Sequence, residues 1–503
     1  MKEKKNGILI TYLTLFLTNI TGILLIPIII SFVGNSQFGL YSLIGALVSY
    51  LTIMDFGLGN TVIRYVAKYR EEKNKTAEEN FIAISLLLYS VIIVLVAILS
   101  MIFYMNIDNV FNNFNDSQLV QAKQMFFILA LNIMVTMPNH TFNGILFAYE
   151  KFVFPKLISL IRVVIRFVVI IICLNIGFGI IAIVIIDTIL NILIMVTNIY
   201  YVFRYLKVKI KINNFDKMYI FQIFSFSFFV FINVVIDQLY WKIDQTILGI
   251  MVNTSAVALY AISMTIVAGY ISLSTSISSI FYSKLTRLVV NEASNEELNN
   301  FMITIGRLQL IVLGFFLSGF IIFGKSFVYL WLGVEYELVY YVVLMIIVPF
   351  TIPLVQNVVG NLVQIKNKHS IMAIINLCVS LVNIVLSIVL VKKVGVLGSA
   401  IGTMISIIVG NIIITNYFYS KKMMINIKSF FSSLFTNLIP AILICLIISN
   451  LVIELSFGST TTSWFYFFIS SFIFILFYFT LIYIIGLNDN ERSLIKRFLL
   501  RKL

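Results

Sequence analysis

Residues that drive catalysis and redox chemistry are scarce in this 503-residue chain, and each shortage excludes something. The three cysteines, Cys173, Cys378 and Cys445, stand far apart in apolar runs, matching neither a disulfide framework nor a zinc spacing. The two histidines, His140 and His369, come with no HExxH motif and no paired carboxylates. Metal-assisted or histidine-based catalysis therefore lacks its residues, and neither a metal nor a cofactor is expected. Acidic residues number 21 against 35 basic ones, and charged residues make up only 11% of the chain. The polar connection at 105–120, MNIDNVFNNFNDSQLV, holds no lysine or arginine at all.

What fills the chain instead is hydrocarbon. Hydrophobic residues make up 61% and mean hydropathy is +1.05, values of an integral membrane protein and of no soluble domain. Apolar runs between polar breaks predict about fourteen membrane-spanning helices and an all-α fold. They lie near 8–33, 39–63, 80–104, 122–147, 157–175, 179–203, 218–250, 256–282, 302–324, 338–362, 371–391, 395–418, 430–453 and 464–486. The basic then apolar N-terminus resembles a signal peptide, but its apolar part exceeds twenty residues without a small-residue cleavage site, so a retained first span is expected.

Basic residues decide the orientation. Twenty-seven of the 35 fall at the N-terminus, in the even-numbered connections or in the C-terminal tail, as in Arg64, Lys68, Arg70, Lys73 and Lys75 after span two. Lys and Arg crowd the cytoplasmic side of membrane proteins, so a multi-pass protein with both termini in the cytoplasm is expected. The same bias explains the net charge of +14 without nucleic acid as a partner.

The chain also repeats itself. FVGNSQFGLYSL at 32–43 and MVNTSAVALYAI at 251–262 share Val33/Val252, Ser36/Ser255, Leu40/Leu259 and Tyr41/Tyr260 at an offset of 219. At an offset of 218, Gly177/Gly395, Ala182/Ala400, Ile183/Ile401, Thr197/Thr415, Asn198/Asn416 and Tyr201/Tyr419 are identical. Two matches with nearly one offset predict a six-helix duplication. Six is even, so the copies are parallel, with an N-lobe over 1–217, a C-lobe over 218–428, and two extra helices with a basic tail over 429–503.

GLYS at Gly39–Ser42, MDFGLGNTVIRYVAKY at Met54–Tyr69, GILFAYEKF at Gly144–Phe152 and GVLGSAIGT at Gly395–Thr403 carry a family resemblance. With them the chain resembles the Wzx-type flippases of lipid-linked oligosaccharides, in the superfamily that also holds the MATE exporters and lipid II flippases. The resemblance extends over essentially the whole chain. It implies two six-helix lobes in a V, a central cavity open to each side in turn, and export of undecaprenyl-diphosphate-linked O-antigen, capsule or other repeat units. It further implies residence in the lipid bilayer of the bacterial inner membrane, association with polysaccharide polymerases or chain-length proteins, and a coupling ion, H+ or Na+. Related readings are a lipid II flippase or a cation-coupled MATE-like exporter. MATE exporters often use an acidic residue in span one, however, and residues 8–33 contain none. A many-span glycosyltransferase or polymerase is the enzymatic alternative; the short, mostly uncharged outer loops disfavour it.

Charges inside spans carry the candidate chemistry, because each costs about 2.5–3.5 kcal/mol at a helix centre unless it faces protein or water. Arg162 and Arg166, spaced i, i+4 in LISLIRVVIRFVVIIICL, share one helix face, and arginine's planar fork suits phosphate oxygens. They are expected to hold the diphosphate of the lipid carrier; the alternative is snorkelling to the headgroups. Arg64 is either a cationic mouth or an orientation anchor. Asp55 and Asp187 are expected as coupling groups or charge partners, with Asp187 set to neutralise Arg162 or Arg166 when substrate is absent. In span seven, Asp237 and Asp244 share a face and Lys242 points elsewhere, so they are read as ion-coupling or structurally paired groups. At offset 218 the counterparts of Arg162 and Arg166 are Ser380 and Ile384, so the positive patch belongs to one lobe only.

Overall fold

The computed structural model describes residues 2–212, 217–366, 368–457, 463–489 and 491–493. Lys496, Arg497, Arg501 and Lys502 of the basic tail lie outside the described residues, as do the side chains of Lys2, Lys4 and Lys5. The fold is all-helical, with no strand among the described residues. The first twelve helices are α1 (Lys2–Val33), α2 (Asn35–Leu51), α3 (Leu58–Glu71), α4 (Lys75–Val110), α5 (Asp116–Thr136), α6 (Asn139–Ala148), α7 (Val153–Asn175), α8 (Ile180–Arg204), α9 (Lys217–Trp241), α10 (Ile243–Met251), α11 (Thr254–Val290) and α12 (Asn295–Leu332). They are followed by α13 (Glu337–Val355), α14 (Asn357–Ile365), α15 (His369–Val394), α16 (Val396–Ser406), α17 (Thr415–Lys422), α18 (Ile427–Phe435), α19 (Leu438–Phe457) and α20 (Trp464–Leu481).

Among the described residues, thirteen helical stretches are long and apolar enough to cross a membrane, each matching an expected span. The expected seventh span is covered by α9 and α10. Twenty helices make fewer spans because several spans are broken. Span two stops at Leu51, makes a 3-10 turn over Thr52–Asp55, and restarts at Leu58. Phe56 and Gly57 turn the corner with φ of 51° and 72°. A side chain on Gly57 would be strained twice, because its Cβ would also lie 2.4 Å from Val230 Cγ1. Gly57→Ala is therefore expected to destabilise the protein by more than about 1 kcal/mol, read as a lowered Tm in detergent.

Helix starts follow the polar residues the chain supplies. Asn74 accepts from the Ala77 amide at 3.0 Å to cap α4, and Ser294 accepts from the Glu297 amide at 3.1 Å to cap α12. Asn115 and Gln118 cap each other reciprocally at the start of α5, with bonds of 2.8 and 3.1 Å. Each such cap contributes about 1 kcal/mol. Two lysines on the face opposite the basic connections are matched by carboxylates: Lys123 with Asp108 at 2.6 Å and Lys325 with Glu337 at 2.8 Å.

Local structure also corresponds at the offset of the two sequence matches. Gly177 and Gly395, equivalent at offset 218, both adopt positive φ, 94° and 59°, just before α8 and α16. Span four breaks so that α6 starts at Asn139, and span ten breaks so that α14 starts at Asn357, again 218 apart. Asn198 on α8 donates to Asn139 and Asn143 at 3.0 and 3.2 Å, while its counterpart Asn416 accepts from Gln356 at 2.7 Å. Buried amides thus hold both broken spans by the same logic.

Contacts divide the chain into two compact units, Met1–Ala261 with Val391–Val396, and Ile262–Leu390 with Leu397–Leu503. In the second unit the organising polar group is Arg307 on α12, whose side chain is only 3% exposed. Its guanidinium donates to both oxygens of Glu491 at 2.7 and 2.9 Å, to the Ser433 carbonyl at 2.6 Å and to the Gly486 carbonyl at 2.7 Å. Burial pushes the Glu491 carboxyl up, but the bonds from Arg307 and the Asn488 amide outweigh it and hold the group below its ordinary value. A carboxylate depressed in the folded state stabilises fully above its unfolded pKa, about 4.3. That stabilisation is lost as pH falls through the lower folded value. Tm is therefore expected to drop on acidification below about pH 4.3. The drop should be shallower in Glu491→Gln, compared by thermal unfolding at each pH.

Candidate functional site

The first unit brings three of its intramembrane charges together on α7 and α8. Along α7, Leu157, Ile161, Val164, Ile165, Val168 and Ile172 are exposed apolar side chains that form one lipid-suited face. Lys156, Ser159, Arg162 and Arg166 recur at spacings of three, three and four, which places them on the opposite face at 3.6 residues per turn. The helix is thus split into an apolar side and a cationic side.

Arg166 makes a two-point contact with Asp187 of α8: Nε donates to Oδ1 at 2.6 Å and Nη2 to Oδ2 at 3.0 Å. Its Nη2 also reaches the Tyr41 hydroxyl of α2 at 3.5 Å. Arg162 joins less closely, with Nη2 3.9 Å from Asp187 Oδ1. Its Nε is buried and donates to no acceptor among the described residues. Two guanidiniums share one carboxylate, which leaves a positive charge over. The side chains of Arg162 and Arg166 keep 33% and 28% of their surface accessible, so a ligand is able to reach them. Arg307 shows the contrast: its donors are consumed by protein oxygens, and its role is architectural.

Sequence reasoning had no signal for Tyr41 as a site residue except its place in the repeat. Its counterpart Tyr260 donates to Asp244 Oδ2 at 2.7 Å, so each copy aims a phenol at a polar group. Asp244 itself is buried on α10, whereas Asp237 is exposed on α9. The expectation that these two aspartates share a face is corrected: Lys242 falls at the break between α9 and α10, and the interruption separates their surroundings. Among the described residues neither Asp237 nor Lys242 has an ion-pair partner. Arg64 is exposed on α3, 5.9 Å from the Tyr65 ring, rather than with the pair on α7.

Asp55 sits in the 3-10 turn of the broken second span. Its Oδ1 accepts from the Tyr89 hydroxyl at 2.5 Å. Beside it opens a cleft of about 410 Å³ between α3, α6 and α7, lined by Asp55, Asn60, His140, Asn143, Lys156 and Ser159, with Phe147 and Pro155 as apolar wall. The close approach of α3 to α6 depends on Gly144, whose Cβ would lie 2.9 Å from Val62. Lys156 and Ser159 therefore belong at once to this cleft and to the cationic face of α7.

The architecture is that of the flippase and multidrug-exporter transporters. A lipid II flippase, MurJ, in an inward closed conformation is similar over 94% of this chain and 98% of its own, at TM-score 0.72 and 16% identity. An inward-facing MATE multidrug transporter of the MOP superfamily is similar over 82% of this chain and 95% of its own, at TM-score 0.63 and 15% identity. A MOP superfamily transporter from Pyrococcus furiosus is similar over 80% and 91%, at TM-score 0.53 and 16% identity. These likenesses show the fold. Residues 4–282 match the family of polysaccharide biosynthesis proteins, and the chain belongs to that family. No curated protein matches it in sequence.

Proposed function

We propose that this protein flips an undecaprenyl-diphosphate-linked oligosaccharide from the cytoplasmic to the outer leaflet of the bacterial inner membrane by alternating access. One observation carries the reading: Arg162 and Arg166 share a single carboxylate inside an apolar helix, with the Arg162 Nε left without an acceptor. A diphosphate supplies what that arrangement lacks, namely negative charge and planar pairs of oxygens. On this reading Asp187 is the counter-ion of the empty site, exchanged for the diphosphate when the carrier arrives. Arg64 serves as a basic guide near the cytoplasmic mouth. Asp55, Asp237, Lys242 and Asp244 are the candidates for coupling to an H+ or Na+ gradient. The repeat halves 1–217 and 218–428, with 429–503 alongside, are the two lobes on this reading, although 218–261 pack with the first unit; polymerases or chain-length proteins receive the product. The test is transbilayer movement of a lipid-linked oligosaccharide in proteoliposomes containing wild-type protein or Arg166→Ala. Full transport by the variant sinks the reading.

A further inference from the structure

The cleft between α3, α6 and α7 has a composition that selects its occupant. Asp55 Oδ1 is satisfied by Tyr89, and Oδ2 has no protein donor among the described residues, so it remains an acceptor. Asn143 accepts from Asn198 through Oδ1 at 3.2 Å, which fixes the amide and leaves its N–H groups to donate. Lys156 adds a cationic donor with no ion-pair partner among the described residues, and Phe147 adds a ring face. A phosphate in this cleft would meet the Asp55 carboxylate, and a metal cation would meet Lys156. An acyl chain would strand Asp55 and Asn143 without partners. A polyhydroxylated ring fits all of them, because its hydroxyls both donate and accept while its C–H face covers an aromatic side chain. The volume, about 410 Å³, lies in the range of small-molecule sites.

Position along α7 agrees with composition. Ser159, in the cleft, precedes Arg162 by three residues, about 4.5 Å of helix rise. In a polyprenyl diphosphate sugar the anomeric carbon is bonded directly to a terminal phosphate oxygen, so the first ring must abut the diphosphate. We propose that this cleft is a sugar subsite that receives the first ring of the carrier's oligosaccharide while Arg162 and Arg166 hold the diphosphate. The proposal rests on the diphosphate reading of those arginines. Asp55 accepts from ring hydroxyls, Asn143 and Lys156 donate to them, and Phe147 covers the C–H face.

The test is equilibrium binding of two probes to the purified full chain: undecaprenyl diphosphate alone, and the same carrier bearing one N-acetylhexosamine. Wild-type protein is expected to hold the glycosylated carrier at least tenfold more tightly. Asn60→Leu, at an exposed position that spares the fold, and Asn143→Ala are expected to bring that ratio severalfold closer to one. A ratio of one in the wild type, or an unchanged ratio in both variants, overturns the sugar subsite. Arg166→Gln is expected to weaken both carriers and keep the ratio. If Arg166→Gln alters neither while the cleft variants collapse the ratio, the diphosphate assignment fails and the sugar subsite stands.

Discussion

Arg307→Ala is expected to destabilise the second unit by about 3–5 kcal/mol, the cost of breaking a buried ion pair from one side. The loss is compound. Glu491 is left without its counter-ion, and the carbonyls of Ser433 and Gly486 lose their donor. Those oxygens belong to α18 and to the end of the last span, so one substitution loosens three segments from α12. Replacing Arg307 and Glu491 together by apolar residues does not restore the wild type, because the two carbonyls remain unsatisfied. Thermal unfolding in detergent is the measurement; a Tm within a degree of wild type for Arg307→Ala contradicts the architectural role. Arg307→Lys is expected to recover only part of the loss, since an ammonium lacks the planar fork that reaches all four oxygens.

Arg166→Ala is expected to reduce carrier flipping by about 100-fold or more. Two charge-assisted hydrogen bonds contribute about 3–5 kcal/mol together, and each 1.4 kcal/mol is a factor of ten. Asp187→Asn is expected to behave differently. It removes the internal anion that competes for Arg166, so carrier binding tightens while turnover slows, because release must now proceed without a carboxylate to take the arginines back. A KM-against-kcat split in proteoliposomes separates the two variants. Equal losses of binding and turnover in both would mean that Asp187 is a scaffold for the arginines rather than an exchangeable partner.

Much of this was readable from the chain, for identifiable reasons. The spans were legible because hydrocarbon length is a constraint on composition, and thirteen of the expected fourteen recur with shifted ends. Arg162 and Arg166 stood out because charge in an apolar run is costly. Their closeness to Asp187 was legible as an expectation of charge balance, since α7 and α8 are consecutive. Of the broken spans only the bend beside Gly57 was legible, from its glycines. Leu51–Leu58, Pro138, Lys242 and Gln356 interrupt helices within runs apolar enough overall to read as single spans, because backbone breaks are set by local dihedrals and by buried amides such as Asn198. The cleft was hidden for the same reason: it joins residues from three helices, and no linear pattern unites Asp55 with Asn143 and Ser159.

Where the two copies of the repeat begin, they touch. Gly39 lies so close to α11 that a Cβ there would meet the Thr254 carbonyl at 1.7 Å. Ser36 and Thr254 share a hydrogen bond at 2.8 Å, Gln118 donates to Ser36 at 2.9 Å, and Asn113 reaches the Ile250 carbonyl at 3.0 Å. At Gly39 this seam is bare backbone beside hydroxyls and amides, and further along it Leu43 packs against Gly249. Of these bonds, Ser36–Thr254 and Asn113–Ile250 join the two copies, and each contributes about 0.5–1.5 kcal/mol. A methyl group at Gly39 would have no room beside the Thr254 carbonyl, so the missing side chain is what lets the two repeat starts pack into one compact unit.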